Sequence, residues 1–208
     1  MGSTERPLLD WFARNVSAGE TWLDIGAHYG YTAIALSRLV GVSGRVFAFE
    51  PMLETAGYLV QTQKLNSLRQ LRIVPMGLGS AEMVELKQLP TVRGMADSTL
   101  SDDGPRESIM VARFDWLWPH ICDGQGRIDG VKIDVQGMEM EAIQGMGNLL
   151  NTLRPKLVVE FHHGVDRNEF LNCIQSLGYS RRGVPIEPIE GEVEPQYYDD
   201  RSYSFLAQ

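Results

Sequence analysis

Cysteine is scarce in this chain: Cys122 and Cys173 are the only two among 208 residues, and neither lies in a CxxC or Cys/His pattern. This usage argues against a disulfide framework and is typical of ordinary thiols in a reducing compartment. Long hydrophobic runs are absent too, since no apolar stretch approaches the roughly 18 residues of a membrane span. The first residues lack the apolar region of a secretory signal. We therefore expect a cytoplasmic protein without a membrane partner.

Basic residues are also fewer than acidic residues. The sequence has 19 Lys and Arg residues against 27 Asp and Glu residues, which gives a net charge of -8. Such a surface repels phosphate backbones, so nucleic acid is not an expected partner. The length suits one globular domain spanning residues 1–208, which can bury a core without disulfides or metals.

Short apolar runs alternate with segments of helical periodicity along most of the chain. The predicted strands are residues 21–25, 45–49, 71–75, 130–135 and 157–161, and the predicted helices are residues 8–16, 31–40, 52–66, 138–153 and 166–177. This alternation indicates βαβ units, and therefore an α/β fold with a doubly wound, mostly parallel sheet. Two further segments, 184–189 and 203–206, are expected to complete the sheet as an antiparallel pair. The helix at 8–16 forms an N-terminal segment within residues 1–20.

Residues 81–114 interrupt the alternation. Two strands at 81–89 and 107–114 are predicted to form an antiparallel hairpin, with a polar segment at 91–106 between them. A loop of this length in a compact domain is more often functional than structural filler. We therefore expect the insertion to act as a lid that contacts the substrate.

The strongest local signal is the sequence DIGAHYG at residues 24–30, where the first predicted strand runs into a glycine turn. Ligands of open α/β sheets lie at the carboxyl ends of the strands, and glycines there let the backbone approach the ligand. We expect Gly26 and Gly30 to permit that approach and Asp24 to engage an ammonium group of the ligand. The cofactor-binding residues predicted within the turn are Asp24, Gly26, Ala27, His28, Tyr29 and Gly30.

An acidic residue, Glu50, ends the second predicted strand about twenty residues further on. A carboxylate there can accept hydrogen bonds from both hydroxyls of a ribose, which indicates a nucleoside cofactor. Pro51 and Met52 are expected to flank its base, and Gly77, after the third strand, is a further expected contact. The glycine that follows Gly26 comes four residues later, so the spacing is not GxGxxG and argues against a pyrophosphate-binding NAD site. For Glu50 the structural alternative is a carboxylate that stabilises a helix N-terminus.

Five motifs occur in a recognisable order: DIGAHYG at 24–30, FEP at 49–51, FDWL at 114–117, VKIDVQGME at 131–139 and VEFH at 159–162. Together they resemble the FkbM-type methyltransferases, over a stretch from about residue 21 to at least residue 178. The resemblance implies a class I, Rossmann-like methyltransferase fold with S-adenosylmethionine as cofactor. It also implies O-methylation of a hydroxyl on a sugar or polyketide-type natural product. One position departs from the family, since Gln136 stands where the family usually has Glu.

Methyl transfer to a hydroxyl requires the acceptor to be aligned and deprotonated. Candidate catalytic residues follow the fourth and fifth strands of the alternating pattern: Asp134 on one, and Glu160, His162 and His163 on the other. Asp134 is also expected to contact the cofactor. His162 is favoured as general base because an imidazole titrates near neutral pH, with Glu160 or Asp134 orienting it. A loop-capping or solvent-exposed role is the structural alternative for each histidine. Alternatively, Asp134, Glu160 and His162 form a divalent-metal site.

Two other functions remain open from the sequence. An NAD-dependent oxidoreductase can use a similar sheet, but it favours tighter glycine spacing and a substrate domain. A non-catalytic cofactor-binding protein would keep the fold without the chemistry, and Gln136 gives that alternative some support. We expect a small-molecule or carbohydrate acceptor, held by the insertion, the N-terminus or a second subunit of a homodimer.

Overall fold

Strands and helices alternate along the chain as predicted. The computed structural model describes residues 5–92, 95–96, 106–124 and 126–208. Within these ranges the strands are β1 (Thr21–Ile25), β2 (Arg45–Phe49), β3 (Leu71–Val74), β4 (Gly77–Leu78), β5 (Val84–Val92), β6 (Met95–Ala96), β7 (Arg106–Ala112), β8 (Gly130–Ile133), β9 (Lys156–Phe161), β10 (Val184–Pro185) and β11 (Arg201–Phe205). The helices there are α1 (Arg6–Asn15), α2 (Tyr31–Val40), α3 (Leu53–Leu65), α4 (Phe114–Ile121), α5 (Glu139–Gly145), α6 (Gly147–Leu153) and α7 (Arg167–Ser176).

The central sheet has the strand order β10-β11-β9-β8-β1-β2-β3. Strands β3, β2, β1, β8 and β9 are parallel, whereas β11 runs antiparallel to β9 and β10 antiparallel to β11. This confirms the mostly parallel sheet with an antiparallel C-terminal strand. The chain builds outward from β1 in one direction with β2 and β3, and in the other with β8 and β9. Such a reversal leaves a crevice at the carboxyl ends of the central strands, where ligands of these folds bind.

Both faces of the sheet are covered. All five residues of β1 are buried, because successive side chains of a strand point to opposite faces and helices pack on each face. Leu23 and Ile25 belong to a core cluster that contains residues of α4, α5, α6 and α7. Trp22 belongs to a second cluster, which contains residues of α1, α2 and α3. The buried layers fix the strand ends that carry the site.

The predicted insertion forms a smaller sheet with the order β4-β7-β5-β6. Strands β5 and β7 are antiparallel, in register from Val84 opposite Ala112 to Pro90 opposite Arg106. Residues 93–94 and 97–105, at the centre of the proposed lid, lie outside the described residues, so the lid stays a prediction.

Several predicted boundaries were wrong. The strand predicted at 130–135 ends at Ile133, and the one predicted at 184–189 ends at Pro185. The second strand of the insertion ends at Ala112 and α4 begins at Phe114. Within α4 the Asp115 carboxylate accepts hydrogen bonds from the backbone N–H groups of Asn148 and Leu149, which joins α4 to the start of α6. The helix predicted at 138–153 is two helices, α5 and α6. At the end of α5 the backbone of Gly145 passes so close to the carbonyl of Gly79 that a side chain would overlap it.

Helix α7 begins as predicted, since the Asp166 side chain caps it by accepting a hydrogen bond of 2.9 Å from the backbone N–H of Glu169. Among the described residues, no helix has both the length and the apolar character needed to cross a bilayer.

Candidate active site

A cavity of about 830 Å³ opens at the carboxyl ends of the central parallel strands. This volume lies within the range of small-molecule and cofactor sites. Its walls include most of the residues predicted to bind a cofactor, together with two predicted catalytic residues: Gly26, Ala27, His28, Tyr29, Glu50, Pro51, Gly77, Asp134 and Glu160. The structure therefore brings these dispersed positions together around one space.

The glycine turn after β1 is held by contacts within the protein. The backbone N–H groups of Gly26 and Ala27 both donate to the carbonyl of Phe49, at 3.0 and 2.9 Å, so these two amides are occupied within the protein. Gly26 has φ +80°, and a Cβ there would overlap the carbonyl oxygen of Asp134. A Cβ on Gly30 would overlap a leucine side chain of α3. These glycines are therefore required for strand and helix packing, and their predicted part in the approach to a ligand stays a prediction.

His28 follows this turn with a left-handed backbone conformation, φ +49°. Its backbone N–H donates to Oε2 of Glu50 at 2.8 Å. Its ring packs against the Tyr29 ring in a tilted arrangement, with 4.1 Å between the ring centroids. The Nε2 atom is buried and has no hydrogen-bond partner among the described residues. Because burial lowers the pKa of His28, the ring presents a neutral imidazole to the cavity.

Glu50 is held in place by backbone amides. Its Oε2 accepts from the N–H of His28 and its Oε1 accepts from the N–H of Met52, at 2.8 and 2.9 Å. Each carboxylate oxygen can accept a second hydrogen bond, so the pair can still receive two ribose hydroxyls. Burial raises the pKa of Glu50. Met52 itself is buried beside Met138, outside the cavity wall.

The N-terminus of α2 also faces the cavity through Tyr31 and Thr32. A helix N-terminus favours a bound carboxylate, because its first N–H groups point outward and the helix dipole is positive there. Behind it, the Thr32 hydroxyl donates to Oδ2 of Asp24 at 2.6 Å. Asp24 has no exposed surface and does not line the cavity, so the structure places it in support of the turn.

Lys132 joins the two sides of the cavity. Its Nζ donates to the carbonyl of Gly26 at 3.1 Å and lies 3.1 Å from Oδ1 of Asp24 and 3.2 Å from Oδ2 of Asp134. Burial acts to lower the pKa of Lys132, but attraction to Asp134 and Asp24 outweighs it and raises the pKa above its usual value. The ammonium group therefore stays charged and neutralises carboxylates on both sides.

His162 is buried and makes its shortest side-chain contact with a residue that the sequence did not single out. Its Nδ1 lies 2.6 Å from Oε1 of Glu139, a side chain with no exposed surface. Its Nε2 lies 2.9 Å from the Gln136 amide, 3.5 Å from Oδ1 of Asp134 and 3.7 Å from Oε1 of Glu160. Burial acts to lower the pKa of His162, but the hydrogen bond to Glu139 and the surrounding carboxylates raise it to about 9. The ring is thus an imidazolium at neutral pH, contrary to the titration near neutrality expected of a general base.

Glu160 or Asp134 was expected to orient His162, but Glu139 is the carboxylate closest to the ring and is placed to orient it. Glu139 lies in the VKIDVQGME motif, so it was present in the family resemblance, although it carried no predicted role. Glu160 is instead held by Ser202, whose hydroxyl donates to Oε2 at 2.8 Å. Burial and the nearby charge of Asp134 raise the pKa of Glu160.

His163 is placed away from this cluster. Its side chain is 85% exposed, and Nδ1 pairs with Asp199 at 3.5 Å. Part of the remaining wall comes from the two segments expected to hold the substrate: Glu5 and Leu8 at the N-terminal helix, and Leu89 and Ile109 from the insertion.

Comparison with known families and structures accords with this arrangement. The family model of the methyltransferase FkbM domain matches residues 24–181. No curated protein matches the chain. Among solved structures, an FkbM methyltransferase from Methylobacillus flagellatus KT is similar with a TM-score of 0.61 and 16% identity, over 94% of this chain and 50% of that one. The chain therefore spans half the length of that relative.

Two further structures share the fold. A SAM-dependent methyltransferase from Aquifex aeolicus has a TM-score of 0.54 and 13% identity, over 97% of this chain and 88% of that one. Fibrillarin from Aeropyrum pernix, in complex with natively bound S-adenosyl-L-methionine, has a TM-score of 0.55 and 15% identity, over 92% of this chain and 67% of that one. At these identities the likeness shows a class I methyltransferase fold.

Proposed function

Because the chain belongs to the FkbM family of S-adenosylmethionine-dependent methyltransferases, we propose that it methylates a hydroxyl group of a small molecule or carbohydrate. One observation carries the proposal. A single cavity has the amide-held Glu50 on its wall together with Asp134 and Glu160, and the buried His162 lies behind these two carboxylates, 3.5 and 3.7 Å from them. One side suits a nucleoside, and the other suits a polar group that must lose a proton.

The residues of the first side fit the cofactor. The spare lone pairs of Glu50 suit the ribose hydroxyls, and the N-terminus of α2 suits the methionine carboxylate. Asp134 and Glu160 provide negative charge for the cofactor's cationic groups. When bound, S-adenosylmethionine supplies a methyl group on a sulfonium, which is already a good leaving group.

The second side of the cavity favours a neutral acceptor. Besides Asp134 and Glu160, its walls carry the acidic residues Glu5, Glu187 and Asp200, and Lys132 is already paired with two carboxylates. These charges repel phosphate and carboxylate groups, whereas a sugar or natural-product hydroxyl can donate a hydrogen bond to a carboxylate. His162 can accept the hydroxyl proton only after it has lost its own.

The first test is calorimetric titration of the protein with S-adenosylhomocysteine and, separately, with NAD. We expect micromolar binding of S-adenosylhomocysteine that falls about 100-fold in Glu50→Ala, because two charge-assisted hydrogen bonds are lost. The control is Glu54→Ala, which removes an exposed carboxylate at the start of α3, the helix that follows Glu50, and should bind normally. Binding of NAD instead would overturn the proposal.

The second test is transfer of a labelled methyl group to sugars and hydroxylated natural products. Each acceptor is paired with its analogue that lacks the hydroxyl in question. Transfer that requires the hydroxyl supports O-methylation. Transfer to an amine or carbon instead would overturn the choice of acceptor, and S-adenosylhomocysteine binding without transfer to any class would favour a non-catalytic protein.

A further inference from the structure

We propose that Asp134, Glu160 and His162 bind one divalent first-row transition-metal cation. One ligand atom from each residue lies within 4.8 Å of the other two. The site would occupy the acceptor side of the cavity, so its catalytic use rests on the proposed function, but cation binding itself can be measured independently.

The distances suit a common ion. Nε2 of His162 lies 3.5 Å from Oδ1 of Asp134 and 3.7 Å from Oε1 of Glu160. Two ligand atoms at about 2.1 Å from one ion lie roughly 3.0 Å apart at a right angle and roughly 3.4 Å apart at a tetrahedral angle. Small side-chain rotations therefore bring the three atoms into one coordination shell.

The surroundings of His162 provide a second and independent argument. Metal-binding histidines almost always donate the other ring N–H to a carboxylate, a carbonyl or water, which fixes the tautomer. The fully buried Glu139 occupies that position, 2.6 Å from Nδ1. With Nδ1–H donating to Glu139, Nε2 is the ring atom that faces Asp134 and Glu160, and a cation bound there would replace its proton and its 2.9 Å contact with the Gln136 amide.

Charge favours the same conclusion. Asp134, Glu139, Glu160 and Asp200 place carboxylate oxygens within 4 Å of the His162 ring nitrogens, and Asp200 is exposed enough to swing toward them. The nearby ammonium of Lys132 is shared with Asp24. A divalent cation would offset the repulsion among these carboxylates. Because the donor set combines imidazole with carboxylates, it suits Mn²⁺, Fe²⁺ or Zn²⁺ better than Ca²⁺, which takes oxygen ligands.

The experiment titrates Mn²⁺ into the chelator-treated full chain and follows the free ion by electron paramagnetic resonance. We expect one Mn²⁺ per chain, with affinity reduced at least ten-fold in Asp134→Asn and in His162→Gln. Glu139→Gln, which changes only the residue behind the histidine, should weaken binding about ten-fold. The matched control is His163→Gln, since the neighbouring histidine is exposed and outside the cavity.

Near-ultraviolet circular dichroism checks that each variant is folded, and Asp134→Asn serves as the test if His162→Gln is not. No Mn²⁺ uptake by the wild-type chain, or equal affinity in all variants, would overturn the proposal. S-adenosylhomocysteine is titrated in parallel. If it binds and Mn²⁺ does not, the cation site fails and the proposed function stands, whereas the reverse result contradicts the cofactor assignment alone.

Discussion

The two sides of the cavity are built in different ways. On the cofactor side, which comprises residues 26–30 and Glu50, backbone amides hold the functional groups in place. On the acceptor side, which comprises Asp134, Glu139, Glu160 and His162, charged side chains from β9, α5 and the end of β8 hold one another. Amide contacts fix a shape that suits one invariant ligand. Side-chain contacts can be altered singly, so the acceptor side can change without disturbing the cofactor side.

Lys132 is paired with a carboxylate on each side of the cavity. Its substitution should therefore have the largest effect on stability. Lys132→Met leaves the fully buried Asp24 without a countercharge and removes one of the cations beside the partly exposed Asp134, and should lower the free energy of unfolding by about 3–5 kcal/mol. Urea denaturation measures the change. Lys64→Met, at an exposed lysine of α3, should shift stability by less than about 0.5 kcal/mol. A loss below 1 kcal/mol in Lys132→Met would mean that the two sides are electrostatically independent.

The second prediction concerns steric contact between the two sides. Gly26→Ala should cost about 3–4 kcal/mol, because its Cβ would overlap the backbone at Asp134 and its φ is positive. Gly77→Ala is the matched control. It also lies on the cavity wall, but its Cβ would meet Val111 at an ordinary 3.5 Å. Similar unfolding energies for the two variants would contradict the interpretation of the glycine turn.

The third prediction tests the acceptor side alone, through the dependence of stability on pH that arises from His162. The folded-state pKa of His162, about 9, lies above its ordinary value of 6.5. Its contribution to stability is therefore fully present below pH 6.5 and is lost as the pH rises toward 9, by about 2–3 kcal/mol. Urea denaturation of chelator-treated protein should show this decline in wild type and not in His162→Gln. Parallel pH profiles would show that the Glu139–His162 pair does not raise this pKa.

The smallest effect is expected at His163. His163→Gln should change cofactor affinity and methyl transfer by less than two-fold, because the side chain is 85% exposed and contacts Asp199 outside the cavity. Calorimetry and the labelled-methyl assay provide the two measurements. A ten-fold loss of methyl transfer would mean that His163 takes part in the reaction after all.

The cofactor side was largely predictable because its residues are close in sequence. The turn at 26–30 and Glu50 follow strands whose apolar runs are clear, and β1, α2 and β2 begin and end where predicted. What the local sequence could not show was the reason for Gly26. That reason is a carbonyl more than a hundred residues away in the chain.

The acceptor side was only partly predictable. Asp134, Glu160 and His162 follow from their positions at strand ends, but Glu139 looks like any carboxylate in the first turn of a helix. Its role depends on burial beside a ring that comes 23 residues later. The break between α5 and α6 was not predicted either, and it follows Gly145, whose close backbone contact with Gly79 is not encoded in helical periodicity.

The position of β11 has a consequence for the order of assembly during synthesis. This strand lies between β9 and β10 in the sheet, although it follows both in the chain. Until residues 201–205 have left the ribosome, the free edge of β9 is open and β10 has no strand to join. An open edge can pair with another nascent chain, so this interval is the one in which a chaperone would contribute most.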